Sequence, residues 1–195
     1  MTKFLNSYFN KGDIFKLFLV CAFPIHIWSI FMFLRDFDWI SERTNSWDAV
    51  GVGGYALLLA LIESFIIFVF FLLLSFLIHR TWKPNTRLAT MTILIFVVSF
   101  WAIFTQVFFL LGGILPESIF RFLVDSGHPY RYLYGPIWAA VIISITVPVY
   151  FLLRSEKLVN GVLAVVERIV LLSGLYLFFD FIGIVIVIVR NVVLA

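Results

Sequence analysis

Five long apolar runs constrain this chain more than any other feature: Ile14 to Leu34, Tyr55 to Ile78, Leu88 to Leu111, Gly135 to Leu153 and Ile169 to Val189. A hydrocarbon core about 30 Å thick is crossed by roughly 20 helical residues, so each run is a candidate transmembrane helix. In lipid the backbone must bond to itself, and a helix does this within one segment. The expected fold is an all-α integral membrane bundle of five spans. The fourth run is the shortest and carries Pro148, which kinks a helix unless a neighbour satisfies the freed carbonyl. The second can begin as early as Val50, where Gly51, Gly53 and Gly54 permit close helix contact.

Composition supports this reading. The 195 residues are 63% hydrophobic and 13% charged, whereas soluble domains are about half apolar and a quarter charged. The mean hydropathy of +1.10 leaves no room for a soluble domain, so residues 1–195 read as one transmembrane domain. Abundant Phe suits lipid-facing surface, and Trp and Tyr suit the headgroup level. The single cysteine, Cys21, rules out an internal disulfide or a cysteine-based metal cluster. The preceding Val20 is a poor fit to a lipoprotein cleavage box, and the first apolar run lacks a small-x-small cleavage site, so it reads as a retained span.

Positive charge gives the expected orientation. Lys3, Lys11, Lys16, Arg80, Lys83, Arg87, Arg154, Lys157 and Arg168 fall on one side, and Arg35, Arg43, Arg121, Arg131 and Arg190 on the other. The richer side is cytoplasmic by the positive-inside rule. This places the N-terminus in the cytoplasm and the C-terminus outside a plasma (inner) membrane. The net charge of +3 is explained by topology and calls for no nucleic-acid partner. Glu167 and Arg168, with Arg154, Glu156 and Lys157, read as an interfacial charge cluster.

Two outer loops are expected, Arg35 to Asp48 and Gly112 to Tyr134. Within the second, Pro116 to Val124 alternates apolar and polar residues at near-helical spacing and reads as a short interfacial helix. Asp36-Phe37-Asp38 in the first loop resembles the acidic motif of membrane glycosyltransferases that use lipid-linked sugars. Pro129 to Pro136 resembles the aromatic, Pro-containing entry to a later span in some of those enzymes. That resemblance implies Asp36 and Asp38 as catalytic candidates, holding a divalent cation or activating a hydroxyl. The simpler reading is a solvated loop with aromatic anchors. Ser126-Gly127-His128 resembles an element of membrane phosphatidic-acid-type phosphatases, but Asp125 stands where that family has Pro and the downstream His and Asp block is missing. A loop turn is the simpler reading here too.

No GxSxG elbow, Walker A or GxGxxG motif occurs. His26, His79 and His128 lie at no metal spacing, and neither a metal nor a cofactor is expected.

Ionisable residues inside the spans remain. They are expensive in lipid and usually point inward. Asp180 falls near the middle of the fifth span, on one face with Ser173, Tyr176 and Gly183. His26 and Ser99 are mid-span and match its depth, while Glu63 is expected farther out. Thr92, Ser99 and Gln106 recur every seven residues as a polar seam. His26, Glu63, Ser99, Gln106 and Asp180 thus form the expected intramembrane polar network, with His26 or Ser99 as the partner of Asp180.

Three function classes follow. The leading one is a structural or assembly subunit of a membrane complex or homo-oligomer. The second is a small proton- or ion-coupled transporter or channel using His26, Glu63 and Asp180. The third is an enzyme acting on a lipid-linked substrate at the outer leaflet.

Overall fold

The computed structural model describes residues 11–78 and 81–193; Lys3, His79, Arg80 and Ala195 lie outside them. The described residues form helices joined by short irregular connections: α1 (Lys11–Arg43), α2 (Ser46–Ser75), α3 (Pro84–Leu110), α4 (Glu117–Asp125), α5 (Pro129–Arg154) and α6 (Glu156–Val193). Five of these six are long and apolar enough to cross a membrane. The short helix α4 occupies the stretch expected from its amphipathic pattern, and its Arg121 pairs with Glu117 one turn away.

The helices outrun the apolar runs. Arg35 to Arg43, expected as loop, continues α1, so the connection to α2 shrinks to Thr44 and Asn45. No Pro or Gly interrupts that stretch, and charged residues end the hydrophobic pattern without ending the helix. Asn45 caps α2 by accepting a 2.8 Å bond from the Asp48 amide. Likewise α6 begins at Glu156, thirteen residues before its apolar run, and only Ser155 separates it from α5. Ser155 is extended, and its hydroxyl accepts from the Leu158 amide. Helix α5 starts at Pro129 rather than Gly135, with proline in its first turn, where no N–H is needed. After α3 and α4 the chain turns through Gly112 and Gly127, both at positive φ.

Helices α1, α2 and α6 pack on one another, α3 packs on α1 and α6, and α5 lies outside them against α3 and α6. Around the N-terminal half of α1, Leu17, Val20 and Cys21 meet Phe71 of α2, Leu88, Met91 and Ile95 of α3, and Val166 of α6. The opposite end is held by backbone proximity and charge. A Cβ on Gly54 would lie 3.2 Å from the Gly183 carbonyl oxygen, and one on Gly183 would lie 3.2 Å from that of Gly54. Glycine is therefore what lets α2 and α6 touch. Gly51 leaves room for the Arg190 side chain, whose guanidinium donates to Asp48 Oδ1 at 2.8 Å and to the Trp47 carbonyl at 3.0 Å. This latch joins the N-terminus of α2 to the end of α6, with each charge on the favourable pole of its helix. Helix α5 differs: Leu152 is its one buried residue, and Ser144 of α5 accepts a 3.0 Å bond from the Trp101 indole of α3.

Candidate functional site: two intramembrane carboxylates

Asp180 points into the bundle. Its carboxylate oxygens each lie 3.0 Å from His26 Nε2, and the two residues are 2% and 0% exposed, so water does not reach the contact. The other ring nitrogen of His26, Nδ1, is 2.8 Å from the Ala22 carbonyl oxygen. A carbonyl only accepts, so Nδ1 carries hydrogen, and the exchangeable proton sits between Nε2 and the carboxylate. The pair is then either imidazolium with carboxylate or imidazole with carboxylic acid, and both forms are neutral overall. Neutrality answers the roughly 2.5 to 3.5 kcal/mol that an ionised Asp costs at the centre of a membrane helix.

The neighbours complete the seat. Tyr176 stacks on the imidazole, with ring centroids 5.3 Å apart and planes inclined by 21°. Its hydroxyl is 3.2 Å from Ser173 Oγ, which donates to the Ile169 carbonyl at 2.7 Å, so the phenol is the donor to the serine. Ser64 donates to the Ala60 carbonyl at 2.6 Å and stands 3.5 Å from His26 Nδ1. Ser173, Tyr176, Asp180 and Gly183 all face inward. Sequence alone marked that stripe and His26, but not the stacking or the approach of Ser64. Their signal, a serine next to Glu63 and a tyrosine one turn before Asp180, has meaning only once α1 is known to lie against both α2 and α6.

Glu63 corrects an expectation. Because Ser64 touches His26, Glu63 is one residue's rise, about 1.5 Å, from that level. It is not farther out; its carboxylate points the other way. Glu63 is exposed on the outside of the bundle and makes no hydrogen bond or ion pair with any described residue. With Ser99 and Gln106 it lines an open recess of about 260 Å³ walled by Trp28, Ile66 and Phe71. The five expected network residues thus separate into a sealed pair, His26 and Asp180, and an open group, Glu63, Ser99 and Gln106. Ser99 is half-buried, Gln106 is exposed, and Thr92, the third member of the seam, is buried and bonds its own helix at the Leu88 carbonyl.

The outer-side candidates do not converge. Asp36 and Asp38 lie two residues apart on helical α1, which sends them toward opposite faces. Asp36 is held by its neighbour Arg35, through Nε at 2.7 Å and Nη2 at 2.9 Å. Ser126, Gly127 and His128 form the turn between α4 and α5, with the His128 amide donating to Ser126 Oγ at 3.3 Å. Among the described residues, no three His, Cys, Asp or Glu side chains gather as a metal site. At the other end, Lys83 bonds Glu156 at 2.7 Å, and this hydrogen bond holds the Lys83 ammonium above the ordinary lysine range. Lys16 of α1 stands 3.9 Å from Glu167 of α6, a second ion pair at that end. Compared with family models, with curated proteins and with solved structures, the chain matches none.

Proposed function

We propose that this protein is a non-enzymatic membrane subunit that assembles with other transmembrane segments. The observation that carries the reading is the division of its two mid-depth carboxylates. Asp180 is satisfied inside the chain, in a pair that holds α1 to α6. Glu63, exposed and turned outward near the same level, makes no hydrogen bond or ion pair with a described residue. A sealed, neutral pair suits a structural lock, because a proton relay needs access from one side, and neither His26 nor Asp180 has it. An outward carboxylate suits a chain whose polar surface is completed by a partner. The division of Asp36 and Asp38 between two helix faces speaks against a shared catalytic centre.

Coupled transport is the second reading. It is favoured by Ser64, which lies next to Glu63 in sequence and 3.5 Å from His26. Proton movement between the carboxylates would pass through that hydroxyl.

In this reading the protein sits in the plasma membrane with the N-terminus and the Lys83 turn in the cytoplasm, and Gly112 to Gly127 and the C-terminus outside. Mild-detergent extraction from the native membrane followed by native mass measurement tests assembly. A mass above the 22.5 kDa chain, from copies or other subunits, is expected, and a monomer accompanied only by lipid overturns it. Proton flux in vesicles that is lost in Ser64→Ala would select transport instead. Reporter tags at Lys83 and in the Gly112 to Gly127 segment test orientation, and the reverse assignment overturns it.

A further inference from the structure

We propose that the groove at Glu63 is the seat of a transmembrane helix from a different protein, one that carries a basic side chain at mid-membrane depth. This rests on the assembly reading and names its partner. Two recesses, of about 260 and 330 Å³, adjoin along the outside of α1 and α2, and Trp28, Ser29 and Glu63 line both. One reaches Ser99 and Gln106 on α3, and the other runs to Asp36. Along α1 the combined groove extends from Pro24 to Ile40, about 24 Å at helical rise. That is the length of more than four helical turns, whereas a small ligand would fill one recess.

Charge selects the occupant. Glu63 has no partner among the described residues, and a carboxylate in lipid calls for a cation or a donor. A lipid amine sits at the headgroup level, about 15 Å from the midplane, and does not reach it. A second copy of this chain offers no cation at that depth: the five apolar runs contain no Lys or Arg apart from Lys16 near one end, and His26 is sealed against Asp180. A basic residue from another protein's helix meets the requirement. Ser29, Ser99 and Gln106 supply hydroxyl and amide groups around the cation, and the Trp28 ring supplies an aromatic face.

The full chain in phosphatidylcholine vesicles tests this with a synthetic leucine-alanine transmembrane peptide that has one central lysine and a photoreactive residue one turn away. A matched peptide has leucine in place of the lysine. The lysine peptide is expected to crosslink to groove residues of α1 and α2 about tenfold more than the leucine peptide, a difference equivalent to about 1.4 kcal/mol. Glu63→Gln should lower its yield to the leucine level, and a central-glutamate peptide should recover the yield with Glu63→Lys. Unreactive Cys21 in each variant shows that the fold is kept, and Glu63→Gln suffices if Glu63→Lys does not fold. Equal yields from the two peptides, an unchanged yield in Glu63→Gln, or copy-to-copy crosslinks through the groove without peptide would each overturn the seat. So would protection of Glu63 from a hydrophobic carbodiimide by tetraphenylphosphonium but not by the lysine peptide, which would assign the groove to small lipophilic cations. A heteromeric native mass without lysine preference removes this seat and keeps the assembly reading. A monomeric native mass with lysine preference does the reverse.

Discussion

Asp180 and Glu63 are both carboxylates near the His26 level of adjacent helices, yet their surroundings are opposite. Asp180 lies on the face of α6 that meets α1, where His26 bonds both its oxygens and Tyr176 covers the ring. Glu63 lies on the face of α2 turned away from that contact, next to an open groove. One residue along α2, Ser64 faces the pair, so about 100° of helical rotation separates a packing position from a surface position. A polar residue in a membrane helix thus acquires its role from the face it occupies, and depth alone does not distinguish a lock from a docking group.

The largest effect is expected where the frame behind the sealed side is forced apart. Gly54→Leu places a side chain against the Gly183 carbonyl and Ile186, and should destabilise by about 1 to 3 kcal/mol through overpacking. Thiol labelling of Cys21, the single cysteine and fully buried, reports this as earlier exposure on heating in detergent. Unchanged labelling would mean that α2 and α6 separate freely, and the contrast between inside and outside would lose its structural basis.

The pair itself comes next. Asp180→Leu should cost on the order of 1 to 2 kcal/mol, since His26 Nε2 then has no partner in the core. Asp180→Asn should be nearly neutral, because an amide N–H can donate to the neutral imidazole whose Nδ1 hydrogen is fixed by Ala22. The same Cys21 measurement separates the two, and equal losses would show that charge rather than hydrogen bonding holds the contact.

Glu63 should behave oppositely. Glu63→Leu is expected to leave the stability of the isolated chain unchanged or raise it by up to about 1 kcal/mol, because it removes an unpartnered carboxylate without breaking a bond. A loss matching that of Asp180→Leu would erase the comparison.

The smallest effect belongs to the exposed Lys83 and Glu156 link. Its bond raises the Lys83 pKa, so the lysine contribution is present below the unfolded value and lost as pH rises through the raised one. Lys83→Ala should therefore lower the thermal midpoint only slightly at neutral pH, because the pair is exposed, and that difference from the parent chain should disappear as pH rises above about 10.

Much of the frame was legible in the residues. Apolar length marks a membrane helix because the hydrocarbon thickness is fixed, so the five spans followed directly. The amphipathic spacing of Pro116 to Val124 likewise marked α4, which runs from Glu117 to Asp125. Apolar length marks hydrocarbon rather than helix, however, so Arg35 to Arg43 reads as loop and Glu156 to Arg168 falls outside the fifth apolar run, although both are helical. The acidic pair Asp36 and Asp38 lost its apparent convergence for the same reason: in a loop two such side chains can meet, but on a helix they diverge.

By itself the sequence determined that this is a helical membrane chain, and that Asp180 shares a depth with His26 and Ser99 and needs a polar partner there. The physical reason is that burying a carboxylate in lipid costs enough to demand a partner at the same level. Only the tertiary structure decided which polar residues meet. Depth is one coordinate, fixed by position along a helix, whereas rotation and neighbour choice are set by packing. Gly54 against Gly183 brings α2 onto α6, α1 lies against both, and that arrangement encloses Asp180 while leaving Glu63 outside.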